Sequence, residues 1–563
     1  MTKTSLLVMS TAVLAAASAI AQSNQNGFSQ RPIQHVLLIS VDGMHAVDFT
    51  NCSQGIAGVN DGAPYCPNLA ALGTTALNYV AASTSKPSDS FPGLMTIVTG
   101  ATPRTVGIYY DVAYDRSLDA PLTTTGNGLA GGPCKAGAAP TGTTTEYEEG
   151  IDIDQTKVNG GAPGAGLTDG GIASIDSARL VRDPKAGCAP VWPWNFVRTN
   201  TIFGVIHAAG GYTAWSDKHP AYSAVAGPGG GTLDDFYAPE INSSVVGLPG
   251  VTTPEGASCS TVRDPGSDIT AWTNSFENIQ CYDTLKVNAI LNEIEGKTHD
   301  GKSAKTPTIF GMNFQAVSVG QKLIEKSNST TGGYQDAAGT PTAALLSEIK
   351  YVDDSIGEMV TKIKDRGLYE STLIIITAKH GQSPIDPSRW NPILNTGSSP
   401  ATLLASLLPL SESPTNPTGI GPTEDDVSLI WLANSANTLS AVSTLESNAT
   451  AIGLGQIYYG PSLSLNYDVP GLRPNDPRTP DIIVTPNVGV DYTSSSKKLA
   501  EHGGFSHDDT NVILLVSNPG IKSKTVYSGV GTNQVAPTIL RALGLDPRLL
   551  DGVRLEGTAP LPQ

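Results

Sequence analysis

Residues 35–44 read HVLLISVDGM. His35–Val41 is an almost unbroken aliphatic run, stopped by Asp42-Gly43, a pair that favours a tight turn. A strand with one wet face would alternate apolar and polar residues. A continuous run fits a strand covered on both faces, as in a parallel sheet. Four more runs read the same way: Pro307–Phe314, Ser371–Ala378, Val427–Ala433 and Asn511–Ser517. Helical patterns lie among them. Ala343–Lys364 carries Leu346, Ile349, Val352, Ile356 and Val360 at helical spacing, and Ile202–Ala209 and Val535–Leu543 repeat the pattern. Strands alternating with helices predict an α/β fold, a three-layer sandwich with a mostly parallel central sheet and helices on both faces.

At the N-terminus, Lys3 precedes an apolar run from Leu6 to Ile20 that closes on Ala19-Ile20-Ala21. Small residues end a stretch too short to span a bilayer, so residues 1–21 are expected to be a secretory signal peptide. Residues 22–563 are expected to form one domain, with loop insertions near 118–200 and 222–282. Within those, Leu118–Gly187 is rich in Gly, Thr and Ala, and Gly227–Thr270 in Gly, Pro and Ser. No later segment reaches the ~20 apolar residues of a membrane span. The expected location is therefore outside the cell, or the periplasm of a bacterium.

Six cysteines in an exported chain favour disulfides. Each consecutive pair brackets a loop-like stretch, which points to Cys52–Cys66, Cys134–Cys188 and Cys259–Cys281. Sequons at Asn51, Asn242, Asn328 and Asn448 are glycosylation sites only in a glycosylating pathway. A net charge of −17 without long Lys/Arg runs argues against nucleic-acid binding.

In open α/β sheets the ligand crevice lies at the carboxyl ends of the strands. Asp42-Gly43-Met44 follows the first strand, and Lys379-His380-Gly381-Gln382 follows another. Ser88-Asp89-Ser90-Phe91-Pro92-Gly93 leads into the apolar stretch Leu94–Val98, and Glu501-His502-Gly503-Gly504 precedes the Asn511 run. Singly, each has a structural reading. Asp42 can be a turn residue, Ser90 a helix N-cap, and His380 and His502 surface histidines. Together, and in this order, they favour a site. Thr213–His219 adds Lys218 and His219 at another expected strand end, whereas His207 reads as a helix residue packed on the sheet.

The strings HVLLISVDGM, DSFPGLMTIVTGATPRTVGIYYD, LIIITAKHGQ and EHGGFSHDD resemble the alkaline-phosphatase superfamily, in its type I phosphodiesterase/nucleotide pyrophosphatase branch. That resemblance implies a secreted hydrolase of a phosphate-type ester with a small-molecule substrate and two zinc ions. Paired cations can stabilise both attacking and leaving oxygens. By resemblance Ser90 is the nucleophile. One metal falls to Asp42, Ser90 and the Lys379-His380 pair, and the other to Val317, Gln321 and His502. Of these seven positions Asp42, Ser90, His380 and His502 keep a suitable residue. Val317 has no donor, Gln321 offers only an uncharged amide, and Lys379 stands where the family has Asp. At most one zinc ion, or none, is therefore expected. Lys379 is expected to pair with Asp42 beside Ser90, acting in catalysis with His380 and His502 or else plugging a dead metal site. His507-Asp508-Asp509 offers a replacement ligand, and Arg478-Thr479-Pro480-Asp481 reads as structural. The alternatives to a phosphoesterase are a ligand-binding pseudoenzyme and a hydrolase of sulfate, phosphonate or carboxylic esters.

Overall fold

The opening run forms strand β1 (His35–Val41), buried at every residue after His35. It lies inside an eight-stranded sheet in the computed structural model, which describes residues 32–147, 171–242, 247–261, 272–415, 420–467 and 476–563. The signal-peptide reading lies outside the described residues, as do parts of both insertions. The other strands are β2 (Ala76–Tyr79), β3 (Ala214–Ser216), β4 (Asp235–Tyr237), β5 (Ile309–Phe314), β6 (Thr372–Thr377), β7 (Leu515–Ser517) and β8 (Lys524–Val526). Their spatial order is β8-β2-β7-β6-β1-β5-β3-β4. Val36 lies opposite both Ile309 and Leu373, so β1 runs parallel between β5 and β6.

Two expectations change here. The Asn511–Ser517 run gives only the short β7, which is antiparallel to β6 and β2. Apolar burial on both faces carries no information about strand direction. The Val427–Ala433 run is not in the main sheet. Its Ser428–Ile430 core belongs to a four-stranded sheet with Thr423–Glu424, Ile482–Pro486 and Leu454–Tyr459, paired antiparallel. This smaller sheet has a hydrophobic cluster of its own around Ile430, Leu445, Ile482 and Val484.

The helices that matter for the site are α1 (Ser90–Thr99), α2 (Ile202–Ala208), α3 (Phe276–Ile294), α4 (Ala316–Lys322), α5 (Ala343–Asp365) and α6 (Val535–Ala542). Helices α3, α4 and α5 pack on one another, and α1, α2 and α6 form the second group. His207 sits in α2, but its side chain is 39% exposed and pairs with Asp234 rather than packing on the sheet. The three expected disulfides form. Leu118, Tyr147, Ile175, Leu180 and Val181 from the first insertion join the main core. Asn328 is exposed, and Asn51, Asn242 and Asn448 are partly exposed. Among the described residues no helix is long and apolar enough to cross a membrane.

Candidate functional site

Strands β1, β6, β5 and β3 run the same way, so their carboxyl ends share one edge of the sheet. That edge carries Asp42, Lys379-His380, Gln315 and Asp217-Lys218. Helix α1 brings Ser90 to it. Asp89 caps α1 by accepting from Phe91 N at 3.1 Å. Ser90 is thus the first helical residue rather than the cap, and its hydroxyl is available for other partners. Gly93 lets the helix come close: a Cβ there would lie 2.2 Å from the Lys379 carbonyl.

Ser90 Oγ meets three groups. His380 Nε2 is 3.1 Å away, Asp42 Oδ2 is 3.4 Å away, and Lys218 Nζ donates to it at 3.0 Å. His380 Nδ1 lies 2.9 Å from the Gly381 carbonyl, which only accepts, so Nδ1 carries the hydrogen. In a neutral ring this leaves Nε2 free to accept from Ser90. Burial, then the neighbouring His502, lowers His380 below an ordinary histidine against the pull of Asp42. Burial pushes the Asp42 carboxyl up, but Lys379, His380 and Lys218 outweigh it and hold it well below the usual carboxylate range. Gln315 Nε2 donates to Asp42 Oδ2 at 2.7 Å, while Oδ1 is buried with no hydrogen-bond partner.

Lys379 does not pair with Asp42 as expected. Its Nζ donates to Asp217 Oδ1 at 2.8 Å and lies 3.9 Å from the Tyr222 ring centroid. The ammonium on Ser90 comes instead from Lys218. The physical reason is local. Asp217 is anchored by Trp215 Nε1 at 3.0 Å and accepts from Lys218 N at 2.8 Å, so it offers Lys379 a closer fixed anion.

His502 stacks on His380 with ring centroids 3.9 Å apart. Its Nδ1 is 2.7 Å from Glu501 Oε2, and its Nε2 is 3.4 Å from Asp89 Oδ1. Burial opposes its charge, yet Asp89 and Glu501 prevail and push it up to about 10.

The remaining family positions are not with this group. Val317 lies in the main core on α4. Gln321 Nε2 donates to the Gly43 carbonyl and the Tyr334 hydroxyl, each at 2.8 Å. Gly43 is at φ +81°, and a Cβ there would strike Gln321 Oε1. His219 pairs with Glu240 at 2.8 Å. Asp508 accepts from Ile385 N, and Asp509 closes a capping box with Ser506. The Arg478 segment is structural, Arg478 bonding Asp115 at 2.7 Å and Asp481 pairing with Arg116. Lys218 was expected only as a cation at a strand end, and Asp217, Gln315 and Asp89 had no expected role of their own. The strand-end position of Thr213–His219 was the signal for the first two.

The zinc pair implied by resemblance does not fit these residues. An ammonium, a buried valine and an uncharged amide, whose Nε2 is bonded to Gly43 and Tyr334, occupy three of its positions. Among the described residues no group of three or more His, Cys, Asp or Glu is arranged to hold a metal ion. Among the seven implied positions, Asp42 Oδ1 and Gln321 Oε1 are buried oxygens without a hydrogen-bond partner, one charged and one neutral. Ser90 itself has no exposed surface. A cleft of ≈ 670 Å³ lined by Ser85, Lys86, Arg104 and Asn533 contains none of Asp42, Ser90, His380 or His502.

Residues 36–155 and 197–508 match the protein family described as type I phosphodiesterase / nucleotide pyrophosphatase. Among solved structures, the alkaline phosphatase PafA, in a mutant form, is 12% identical with a TM-score of 0.53, covering 94% of this chain and 98% of that one. Murine ectonucleotide pyrophosphatase/phosphodiesterase 5 is 12% identical with a TM-score of 0.46, covering 91% of this chain and 96% of its own. The likeness to PafA concerns the fold, which is alkaline-phosphatase-like. Among curated proteins no sequence matches.

Proposed function

This chain belongs to the type I phosphodiesterase/nucleotide pyrophosphatase family, and from that premise we propose that it is an exported hydrolase of a phosphate-type ester with Ser90 as nucleophile. One observation carries the reading: Ser90 Oγ sits at a helix start between His380 Nε2, Asp42 and Lys218. A serine hydroxyl is a weak nucleophile until a base or cation activates it. Here Nε2 accepts the Oγ proton as Oγ bonds to phosphorus. The bond from phosphorus to the leaving oxygen breaks, the alcohol departs with a proton taken from solvent, and His380 Nε2 releases the Oγ proton to solvent in exchange. Water then cleaves the phosphoryl-serine and restores the hydroxyl. His502, held by Asp89 and Glu501, helps bind the anionic substrate. Asp42 orients His380 and Ser90, and Lys379 positions Asp217 and Lys218 from behind.

The test uses p-nitrophenyl phosphate, bis-p-nitrophenyl phosphate and p-nitrophenyl sulfate with wild type and Ser90→Ala. Ser90→Ala should lower turnover of the preferred ester by at least about a thousandfold. Preference for the sulfate, or for a carboxylic ester, would move the chemistry to another ester class. The second reading, a ligand-binding pseudoenzyme, draws support from the full burial of Ser90. It predicts no turnover of any ester and no covalent label on Ser90. The three disulfides fit an extracellular protein. Export predicts a mature chain beginning at Gln22, read by mass spectrometry of the secreted protein, and sugar on Asn328 where the host glycosylates.

A further inference from the structure

Lys218 stands where a metal-activated serine would meet its cation. Its Nζ donates to Ser90 Oγ at 3.0 Å, and it is partly exposed whereas Asp42 and His380 are buried. The ammonium therefore belongs to the least buried of the three residues whose side chains meet Ser90 Oγ. It is held in place through its own backbone. Lys218 N donates to Asp217 Oδ1 at 2.8 Å, and Trp215 Nε1 holds Oδ2 of the same carboxylate at 3.0 Å. The fully buried Lys379 closes on Asp217 Oδ1 at 2.8 Å and balances its charge. A dication on Asp42, Ser90 and His380 would have to share this space with the Lys218 ammonium, and like charges at contact distance oppose one another.

We propose that Lys218 is the activating cation of this site, holding Ser90 Oγ and then the phosphoryl oxygens, so that turnover needs no divalent metal. The inference rests on the hydrolase reading above and names the cation that serves it. Lys218 keeps its three protons throughout. It supplies a fixed charge and hydrogen-bond donors to oxygens that gain negative charge, the form of stabilisation that most lowers such barriers. The Oγ proton still passes to His380 Nε2, and the leaving alcohol still carries a proton away.

The experiment uses the full mature chain, stripped by chelator, with its metal content measured. Two readouts are taken: turnover of bis-p-nitrophenyl phosphate, and affinity for vanadate as a phosphate mimic. Stripped wild type should stay within about twofold of untreated protein, and added zinc should not raise it. Removing one preorganised donor costs about a hundredfold to a thousandfold in comparable sites. Lys218→Met should lose on that scale in turnover and clearly weaken vanadate binding, with an unchanged melting temperature. Lys218→Arg should recover part of both. Turnover lost on stripping and restored by zinc overturns the role given to Lys218 and leaves the hydrolase reading standing. No turnover of any ester by wild type, with or without zinc, sinks the hydrolase reading instead. Vanadate then judges Lys218 alone, and equal affinity for stripped wild type and Lys218→Met overturns the proposal.

Discussion

Around Asp42, Ser90, Lys379 and His380 the centre is made of charges on strand ends and a helix start. Around Val317 and Gln321 it is made of one buried helix, α4. Both regions lack residues that a two-zinc site needs, and they differ in what stands there instead. In the first, Lys379 brings a counter-charge, Asp217, and Asp217 is followed by Lys218 on Ser90. In the second, Val317 joins the core and Gln321 is bonded to Gly43 and Tyr334. The contrast teaches that positions where the resemblance implies metal ligands can be filled in two physical ways. A strand end facing a crevice can exchange one charge for another. A helix face packed on the core is filled by an apolar side chain and an uncharged amide.

The largest expected effect tests the charged half. Lys379 and Asp217 are both fully buried. Removing one partner of a buried ion pair leaves the other charge uncompensated, at about 3–5 kcal/mol. Lys379→Met should lose that much stability in urea denaturation. Lys379→Met with Asp217→Asn should recover much of it, because the stranded charge is gone. If the single variant is as stable as wild type and fully active, Lys379 is neither a structural partner nor a positioning residue, and the contrast between the halves collapses.

Much of this contrast was legible from residues alone. The strand runs at His35 and Leu373, the helix from Ala343 and the three disulfide pairs form as the sequence predicts. Asp42, Ser90, His380 and His502 do converge. What could not be read was orientation. Nothing in the Asn511 run distinguishes antiparallel from parallel, since both bury the strand equally. Lys379 was expected on Asp42 because sequence places both at strand ends. It cannot show that Asp217, one strand farther across the sheet beyond β5, already lies fixed beside Trp215. Lys218 was visible as a strand-end cation, but its reach to Ser90 depends on that same tertiary placement.

A middle-sized effect lies outside both halves and sets the conditions for comparing them. Burial pushes the carboxyls of Glu412 and Glu424 up to about 7, against hydrogen bonds from Thr144 to Glu412 and from Ser399, Ala401 and Ser428 to Glu424. An unfolded Glu titrates near 4.3, so between roughly pH 4.3 and 7 the folded chain holds protons that the unfolded chain has released. Stability therefore falls as pH rises through that window and levels off above it. Each group contributes up to about 3 kcal/mol. Urea midpoints of wild type at pH 5 and pH 8 should show the loss, and Glu412→Gln should flatten part of it. A midpoint that rises over this range would reverse the sign and remove the buried carboxyls as its cause.

The smallest effect tests the neutral half. Gln321 is buried, and Gln321→Met keeps its bulk while removing the donor to Gly43 and Tyr334. A buried amide donor lost in this way, here shared among Gly43, Tyr334 and, at 3.3 Å, Asp48 Oδ2, costs about 1–3 kcal/mol. That is less than the Lys379→Met loss and should be measured at the same pH. Because Gln321 touches neither Ser90 nor the groups around it, turnover per folded molecule should stay within about twofold of wild type. The ratio of the two stability losses then measures the contrast directly: a charged replacement that depends on its partner, against a neutral one that only fills and bonds. A Gln321→Met protein that keeps its stability but loses turnover would place this half back in the chemistry.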